Sequence, residues 1–100
     1  MIIFHIVMPE VWAAFDGDEY RAESLATEGF IHCSFAIQLE RSIERHYGDR
    51  EKVIVLTIDS GKLTSKLVVE PSTGGEHYPH IYGPINRGAI LKHETKVVKH

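Results

Sequence analysis

The sequence Gly29-Phe30-Ile31-His32-Cys33-Ser34 reads as a short buried strand that runs straight into a helix. Gly29 ends the segment before it, and Ser34 is the predicted N-cap of the helix. Alternation along a strand places His32 on the same face as Ser34. A helix start exposes backbone N–H groups and the positive end of the helix dipole. The sequence therefore predicts a site for a phosphate or carboxylate at this junction.

Length and composition define the class of protein. The chain has 100 residues, of which 43% are hydrophobic and 25% charged, values typical of one soluble globular domain over residues 1–100. A net charge of −3 gives no general attraction for nucleic acid. The apolar runs are too short to cross a membrane, and the first residues lack the pattern of a signal peptide. We expect a cytoplasmic protein with neither nucleic acid nor membrane as a partner.

Strands alternate with helices along the chain, which predicts an α+β domain built on a small mixed β-sheet with two main helices. The predicted strands are residues 2–7, 53–58, 67–70 and roughly 89–98. The first is expected to be central, and the last to be an edge strand with Lys99 among its alternating polar residues. One main helix begins at Pro9, and the other follows Ser34. Ser24 is expected to cap a single helical turn that Gly29 closes.

Residues 71–84 form the longest irregular stretch, with three glycines and three prolines. Loops of this length in a compact domain are usually functional or disordered. Tyr78 and Tyr82 favour a packed loop, so we expect at least one of them to be buried. We also expect His80 to face the histidines of the strands.

Three segments resemble the bacterial family grouped as domain of unknown function 952. These segments are Phe4-His5-Ile6, Glu28-Gly29-Phe30-Ile31-His32-Cys33-Ser34 and Gly75-Glu76-His77-Tyr78-Pro79-His80-Ile81-Tyr82-Gly83-Pro84-Ile85. The resemblance covers nearly the whole chain and implies an ADP-ribosyltransferase-like fold, in which a pair of small sheets surrounds a cleft that holds NAD. In that fold a His or Arg on the first strand contacts a ribose, and a Ser, Thr or Tyr follows on a second strand. His5 and the strand from His32 to Ser34 match those places.

His5 and His32 each interrupt an otherwise apolar strand, and we expect both to open into one pocket. The alternative for His5 is a neutral core histidine that is hydrogen-bonded to the backbone. Ser34 is either a helix cap or a nucleophile with His32 as its base. Direct proton transfer is disfavoured because side chains two apart on a strand lie about 6–7 Å apart. Cys33 is predicted to be buried, and His77 with His80 gives too few ligands for a metal site.

The sequence and the resemblance together predict a domain that binds a nucleotide-like or phosphorylated ligand, and the resemblance implies NAD as the candidate cofactor. The predicted ligand-binding residues are His5, His32, Ser34, His80 and Tyr82. In an ADP-ribosyl or glycosyl transfer or hydrolysis reaction, Glu70 or Glu76 would stabilise charge at the reacting sugar carbon. The alternative is a non-catalytic module that senses a small anionic ligand or binds another protein. An acidic residue within reach of the two strand histidines distinguishes these functions.

Overall fold

A computed structural model describes residues 1–98, and at Thr73 it describes the backbone alone. Short helices and strands alternate along these residues. The strands are β1 (Ile2–Val7), β2 (Glu19–Tyr20), β3 (Ile31–His32), β4 (Lys52–Asp59), β5 (Lys66–Pro71), β6 (His77–Tyr82), β7 (Ile85–Asn86) and β8 (Ile90–Val97). The helices are α1 (Pro9–Ala14), α2 (Glu23–Glu28) and α3 (Leu39–Tyr47). The predicted α+β class is confirmed. Lys99, assigned to the last strand from sequence, lies outside the described residues.

The strands form three sheets, in the orders β1-β4-β8, β2-β7 and β3-β6-β5. Every pairing in them is antiparallel, so the prediction of a mixed sheet is wrong. Hydrophobic patterning reports which residues are buried but not the direction of a strand, and this is why the error arose. None of the helices in the described range is long and apolar enough to cross a bilayer.

The central strand of the first sheet is β4, in which six of eight residues are buried. β1, predicted to be central, pairs with β4 on one side only. On its other side Phe4 and Ser34 exchange two backbone hydrogen bonds, of 2.9 and 2.8 Å. This single bridge joins the first sheet to the strand β3 of the third sheet. The two sheets therefore meet at the junction that the sequence singles out.

The main core lies between the sheets and is made largely of isoleucine. Its fully buried side chains include Ile3, Ile31, Leu56, Ile58, Ile81 and Ile85. A smaller cluster packs α3 against the first sheet through Ile43, Val53 and Val55. Burying one such side chain stabilises the fold by roughly 1.5–3 kcal/mol, so the two clusters hold both sheets and α3 in place.

The prediction of an irregular loop over residues 71–84 is wrong for its second half, because His77–Tyr82 forms the central strand β6 of the third sheet. Proline is normally confined to sheet edges since it has no N–H to donate, and Pro79 led to the loop assignment. The carbonyl of Pro79 still accepts a hydrogen bond of 3.0 Å from Cys33 N, just beyond the end of β3. Burial of Tyr78, at 8% exposure, is confirmed.

The helix caps expected from sequence are correct for glycine and wrong for serine. Gly29 ends α2 with φ +90°, a left-handed conformation that glycine adopts without strain. Ser24 lies inside α2, and its hydroxyl donates to the carbonyl of Phe30 at 2.8 Å. Ala22 is the N-cap of that helix. Serine hydroxyls also bond backbone carbonyls, and here that bond closes the turn after α2.

Ser34 does not cap a helix either, because a 3-10 turn, Ala36–Gln38, separates β3 from α3. The residue before this turn is Phe35, whose backbone N–H donates to Gln38 Oε1 at 3.0 Å. The Ser34 hydroxyl instead donates to Ser42 Oγ at 2.9 Å. The strand therefore does not run straight into the helix, and the predicted anion site at a Ser34 cap loses its basis.

Candidate functional site

A cleft of about 670 Å³ opens where β1 meets β3. Its volume lies within the roughly 300–1,000 Å³ of small-molecule sites. The polar residues that line it include His5, Tyr20, His32, Ser34, Ser42 and His46. They come from all three sheets, at or next to β1, β2 and β3, and from α3, so the tertiary fold, rather than one motif, assembles this cleft.

His5 uses both ring nitrogens inside the protein. Its Nδ1 lies 2.7 Å from the carbonyl oxygen of His32, which can only accept, so Nδ1 carries a proton and donates. Burial lowers the pKa of His5 to about 4, so the ring is neutral at pH 7 and Nε2 is an acceptor. The hydroxyl of Tyr20 therefore donates to Nε2, at 3.2 Å. His5 lines the cleft as a fixed, uncharged ring.

His32 lies at the more open part of the same cleft. Its side chain is about half exposed, and its Nε2 lies 3.0 Å from a carboxylate oxygen of Glu28. His32 and His5 thus lie on strands that the Phe4–Ser34 bridge brings together, and both line one cavity. Both side chains line this cavity, and a histidine-lined binding site stays a prediction.

The helix α3 contributes a polar wall. Ser42 and His46 are four residues apart and therefore lie on one face of that helix, and Tyr47 lies beside them in the lining. Burial, followed by the charge of Arg45, lowers the pKa of His46. Ser42 accepts the hydrogen bond from Ser34, which links this wall to the end of β3.

Beside the cleft, Glu70, His80 and Tyr82 form a hydrogen-bonded group that we call the Glu70 cluster. His80 Nδ1 lies 2.8 Å from Glu70 Oε1, and the Tyr82 hydroxyl donates to the same oxygen. The bonds from Tyr82 and from His80 lower the pKa of Glu70. The His80 ring stacks on Phe30 at 4.1 Å between ring centres. The carboxylate thus holds both partners in one orientation.

The Glu70 cluster and the cleft share one face of the third sheet. His80 pairs with His32 across β6 and β3, and their rings lie 5.3 Å apart. His80 therefore faces one of the two strand histidines, as predicted. His5, His32 and Ser34 line the cleft, whereas His80 and Tyr82 lie next to it, outside its lining.

Glu76 lies elsewhere on the surface. Arg41 Nη2 donates to both of its carboxylate oxygens at 2.8 Å. Of the two acidic candidates, Glu70 is the one bonded to His80, whose ring lies 5.3 Å from that of His32, and a catalytic role for either stays a prediction. Cys33 is buried as predicted, and burial raises its pKa, which makes it an inert core residue.

Tyr20, Ser42 and His46 are among the cleft residues that were missed from sequence. Tyr20 follows a run of acidic and glycine residues that reads as a polar connector, yet it is 4% exposed. An aromatic residue inside such a polar stretch was the available signal. Ser42 and His46 flank the apolar stripe of α3, and their four-residue spacing was the signal there.

The fold and the site define an α+β domain of three small antiparallel sheets with a polar cleft between two of them. The chain belongs to the family described as protein of unknown function (DUF952), which matches residues 6–93. No curated protein matches it.

Solved structures of protein CC0527 from Caulobacter crescentus are similar in fold. The crystal structure has 23% identity and a TM-score of 0.84, over 95% of this chain and 85% of that chain. The crystal structure of a double mutant of that protein has 22% identity and a TM-score of 0.83, over 95% of this chain and 85% of that chain. The solution structure gives 23% and 0.77, over 93% and 82% of the respective chains. At this identity the likeness shows the fold alone.

Proposed function

We propose that this chain binds a nucleotide-like or other phosphorylated small molecule, NAD included, in the cleft between β1 and β3. The observation that carries the proposal is the joint presence of imidazoles and hydroxyls in one concave site of about 670 Å³. Sites for small molecules combine apolar walls with a few convergent polar groups that fix orientation. The cleft has this composition.

The two kinds of lining match the two parts of such a ligand. The apolar part of the lining includes Phe4, Ile6, Met8 and Val11, which suits the flat surface of a base. The polar part includes the hydroxyls of Ser34 and Ser42, the rings of His32 and His46, and Arg21. Hydroxyl, imidazole and guanidinium groups donate to phosphate and sugar oxygens.

We also propose that the fold belongs to the ADP-ribosyltransferase-like class. Support comes from two three-stranded sheets around a cleft, with His5 on the first strand and facing that cleft. In this interpretation the cleft takes NAD, and Glu70 on the same sheet face as His32 stabilises charge at the reacting sugar carbon. Glu70 is favoured over Glu76 for this role because it lies on the sheet face of His32, whereas both carboxylate oxygens of Glu76 accept from Arg41.

The second candidate is a non-catalytic module that senses a small anionic ligand. It is favoured by the contacts of Glu70, whose Oε1 is already bonded to His80 and Tyr82 and which lies outside the cleft lining. A carboxylate held in this way orders the sheet face rather than the ligand. The two candidates share the binding site and differ in whether bound NAD is converted.

Calorimetric titration with ADP-ribose, NAD and inorganic phosphate tests the proposal. We expect ADP-ribose to bind, and His32→Ala and Ser42→Ala to weaken it by about tenfold, the equivalent of one charge-assisted hydrogen bond. His77→Ala is the matched control because that side chain is exposed and outside the cleft lining. Failure of all three ligands to bind, or wild-type affinity in both cleft variants, would refute the proposal. Analysis of the NAD sample for released nicotinamide then separates an enzyme from a sensor.

A further inference from the structure

Tyr20 is buried and packed against three other rings of the protein. It is 4% exposed, and its ring contacts those of Trp12, Phe15 and His5, with ring centres 6.2, 5.6 and 5.3 Å away. Aromatic groups packed on several sides keep one rotamer. The position of the Tyr20 hydroxyl is therefore set by the core before any ligand arrives.

The proton of the Tyr20 hydroxyl is already used in a hydrogen bond within the protein. His5 has one ring proton, on Nδ1, and it is used on the carbonyl of His32 at 2.7 Å. The Nε2 atom of His5 is then an acceptor, and the Tyr20 hydroxyl donates to it at 3.2 Å. Among the residues that the structure describes, none donates a hydrogen bond to the Tyr20 oxygen. Tyr20 thus offers the cleft acceptor lone pairs and no donor.

We propose that Tyr20 orients the ligand by accepting a hydrogen bond from one of its hydroxyl groups, so that a sugar rather than a phosphate lies beside β2. An ionised phosphate has only acceptor oxygens and would meet the lone pairs of Tyr20 without a proton between them. A ribose hydroxyl supplies the missing donor. This inference rests on the proposed function, and it assigns the ligand a direction, with its sugar at Tyr20 and its phosphate toward Ser34 and Ser42.

The ionisation of Tyr20 agrees with this role. Burial is the main cause that raises the pKa of Tyr20, with smaller contributions from Tyr47 and Cys33. The phenol therefore keeps its proton at neutral pH and does not act as a base. Tyr20 is a positioning and specificity-determining residue.

A matched pair of ligands tests the inference: ADP and 2′,3′-dideoxy-ADP, which differ only in the ribose hydroxyls. We expect the wild-type protein to bind ADP about tenfold more tightly in calorimetry, a ratio that corresponds to one hydrogen bond in a closed site. The Tyr20→Phe protein keeps the ring and its packing, and it should bind both ligands with equal affinity. Discrimination that survives in Tyr20→Phe, or its absence in the wild type, overturns the inference while leaving nucleotide binding intact.

Free ribose, followed by NMR, separates this inference from the proposed function. If neither nucleotide binds but ribose shifts the ring signals of Tyr20 and His5 in the wild type, and leaves those of His5 unchanged in Tyr20→Phe, the sugar contact stands and the phosphorylated ligand does not. If nucleotides and ribose all leave these signals unchanged, both proposals fail. The wild-type measurements decide the case even where Tyr20→Phe does not fold.

Discussion

His5 Nδ1 donates a hydrogen bond of 2.7 Å to the backbone carbonyl of His32, so the two cleft histidines are joined through the main chain and not ring to ring. This bond crosses from the first sheet to the third beside the Phe4–Ser34 bridge. It also sets which nitrogen of His5 holds the proton. Any change in the charge of His5 therefore affects the junction of the two sheets.

The first prediction concerns acid stability. Burial lowers the pKa of His5 to about 4 in the folded protein, whereas in the unfolded chain it is near 6.5. Between these values the unfolded chain binds the proton more readily, so stability is lost as the pH falls from 6.5 to 4. We expect this residue to account for about 3 kcal/mol of that loss, from roughly 1.4 kcal/mol per pKa unit.

Urea unfolding of the wild type and of His5→Phe at pH 7 and pH 4.5 measures how much stability His5 costs the protein at low pH. The His5→Phe protein should show a clearly smaller loss between the two pH values. Replacement of the exposed His77 by Ala provides the control and should leave the wild-type loss unchanged. Equal losses in the wild type and in His5→Phe would show that His5 does not resist protonation.

The second prediction concerns the hydrogen bond between Ser34 and Ser42. Either single change to Ala leaves the other buried hydroxyl without its partner and should cost about 1 kcal/mol of unfolding free energy. The double change should cost less than the sum of the two single changes, by about 0.5–1 kcal/mol. Chemical unfolding of the wild type, the two single variants and the double variant measures these free energies and completes the double-mutant cycle. Strict additivity would mean that the two hydroxyls do not interact.

The third prediction compares two glycines. A Cβ built on Gly83 lies 2.9 Å from Ser65 Cβ and overlaps with Ser65 Oγ, which donates to the Pro84 carbonyl at 2.7 Å. Gly83→Ala should therefore displace Ser65 and lower stability by about 2 kcal/mol or more, through overlap and a lost bond.

Gly29→Ala is the comparison, because φ is +90° there but no atom lies within 4 Å of the added Cβ. Only backbone strain remains, and we expect a loss of about 1 kcal/mol. Thermal unfolding ranks the two variants. A Gly29→Ala protein less stable than Gly83→Ala would contradict the packing around Ser65.

The fourth prediction tests catalysis at the Glu70 cluster. If the protein converts NAD, Glu70→Gln removes the charge but keeps the size of the side chain, and should reduce the rate by about a hundredfold. Glu44→Gln, an exposed change on α3, should keep the wild-type rate. Nicotinamide release measured by chromatography gives both rates. Wild-type turnover in Glu70→Gln would exclude this carboxylate from the chemistry.

Part of the fold was predictable because buried strands have a recognisable local pattern of apolar residues in the sequence. The β-branched run over residues 53–58 and the apolar start of the chain are strands as predicted, and Gly29 ends its helix as predicted. The direction in which two strands pair has no such local pattern, and neither does the position of Pro79 inside a sheet. Whether proline is tolerated there depends on where the neighbouring strand ends, which is a property of the tertiary structure.

The candidate site shows the same division. His5 and His32 were found because each is a polar residue within an apolar strand. Tyr20 and His46 were not predicted, because their neighbours in the sequence are polar. Only the folding of the chain brings them to the cleft. Ser34 was placed in the right location with the wrong partner, since a 3-10 turn of three residues separates it from the helix.

The order of strands in the first sheet has a consequence for how the chain folds. β4 lies in the middle of the sequence, yet its two partners come from opposite ends of the chain, at Ile2–Val7 and Ile90–Val97. The first pairing closes the 46 residues between Val7 and Ile54, and the second closes the 31 residues between Ile58 and Ile90. Topologies dominated by such distant contacts fold in roughly milliseconds to seconds. On the ribosome, the sheet cannot be completed until β8 has emerged. Until then the apolar edge of β4 is open to other chains, so this protein should be most prone to aggregation during synthesis.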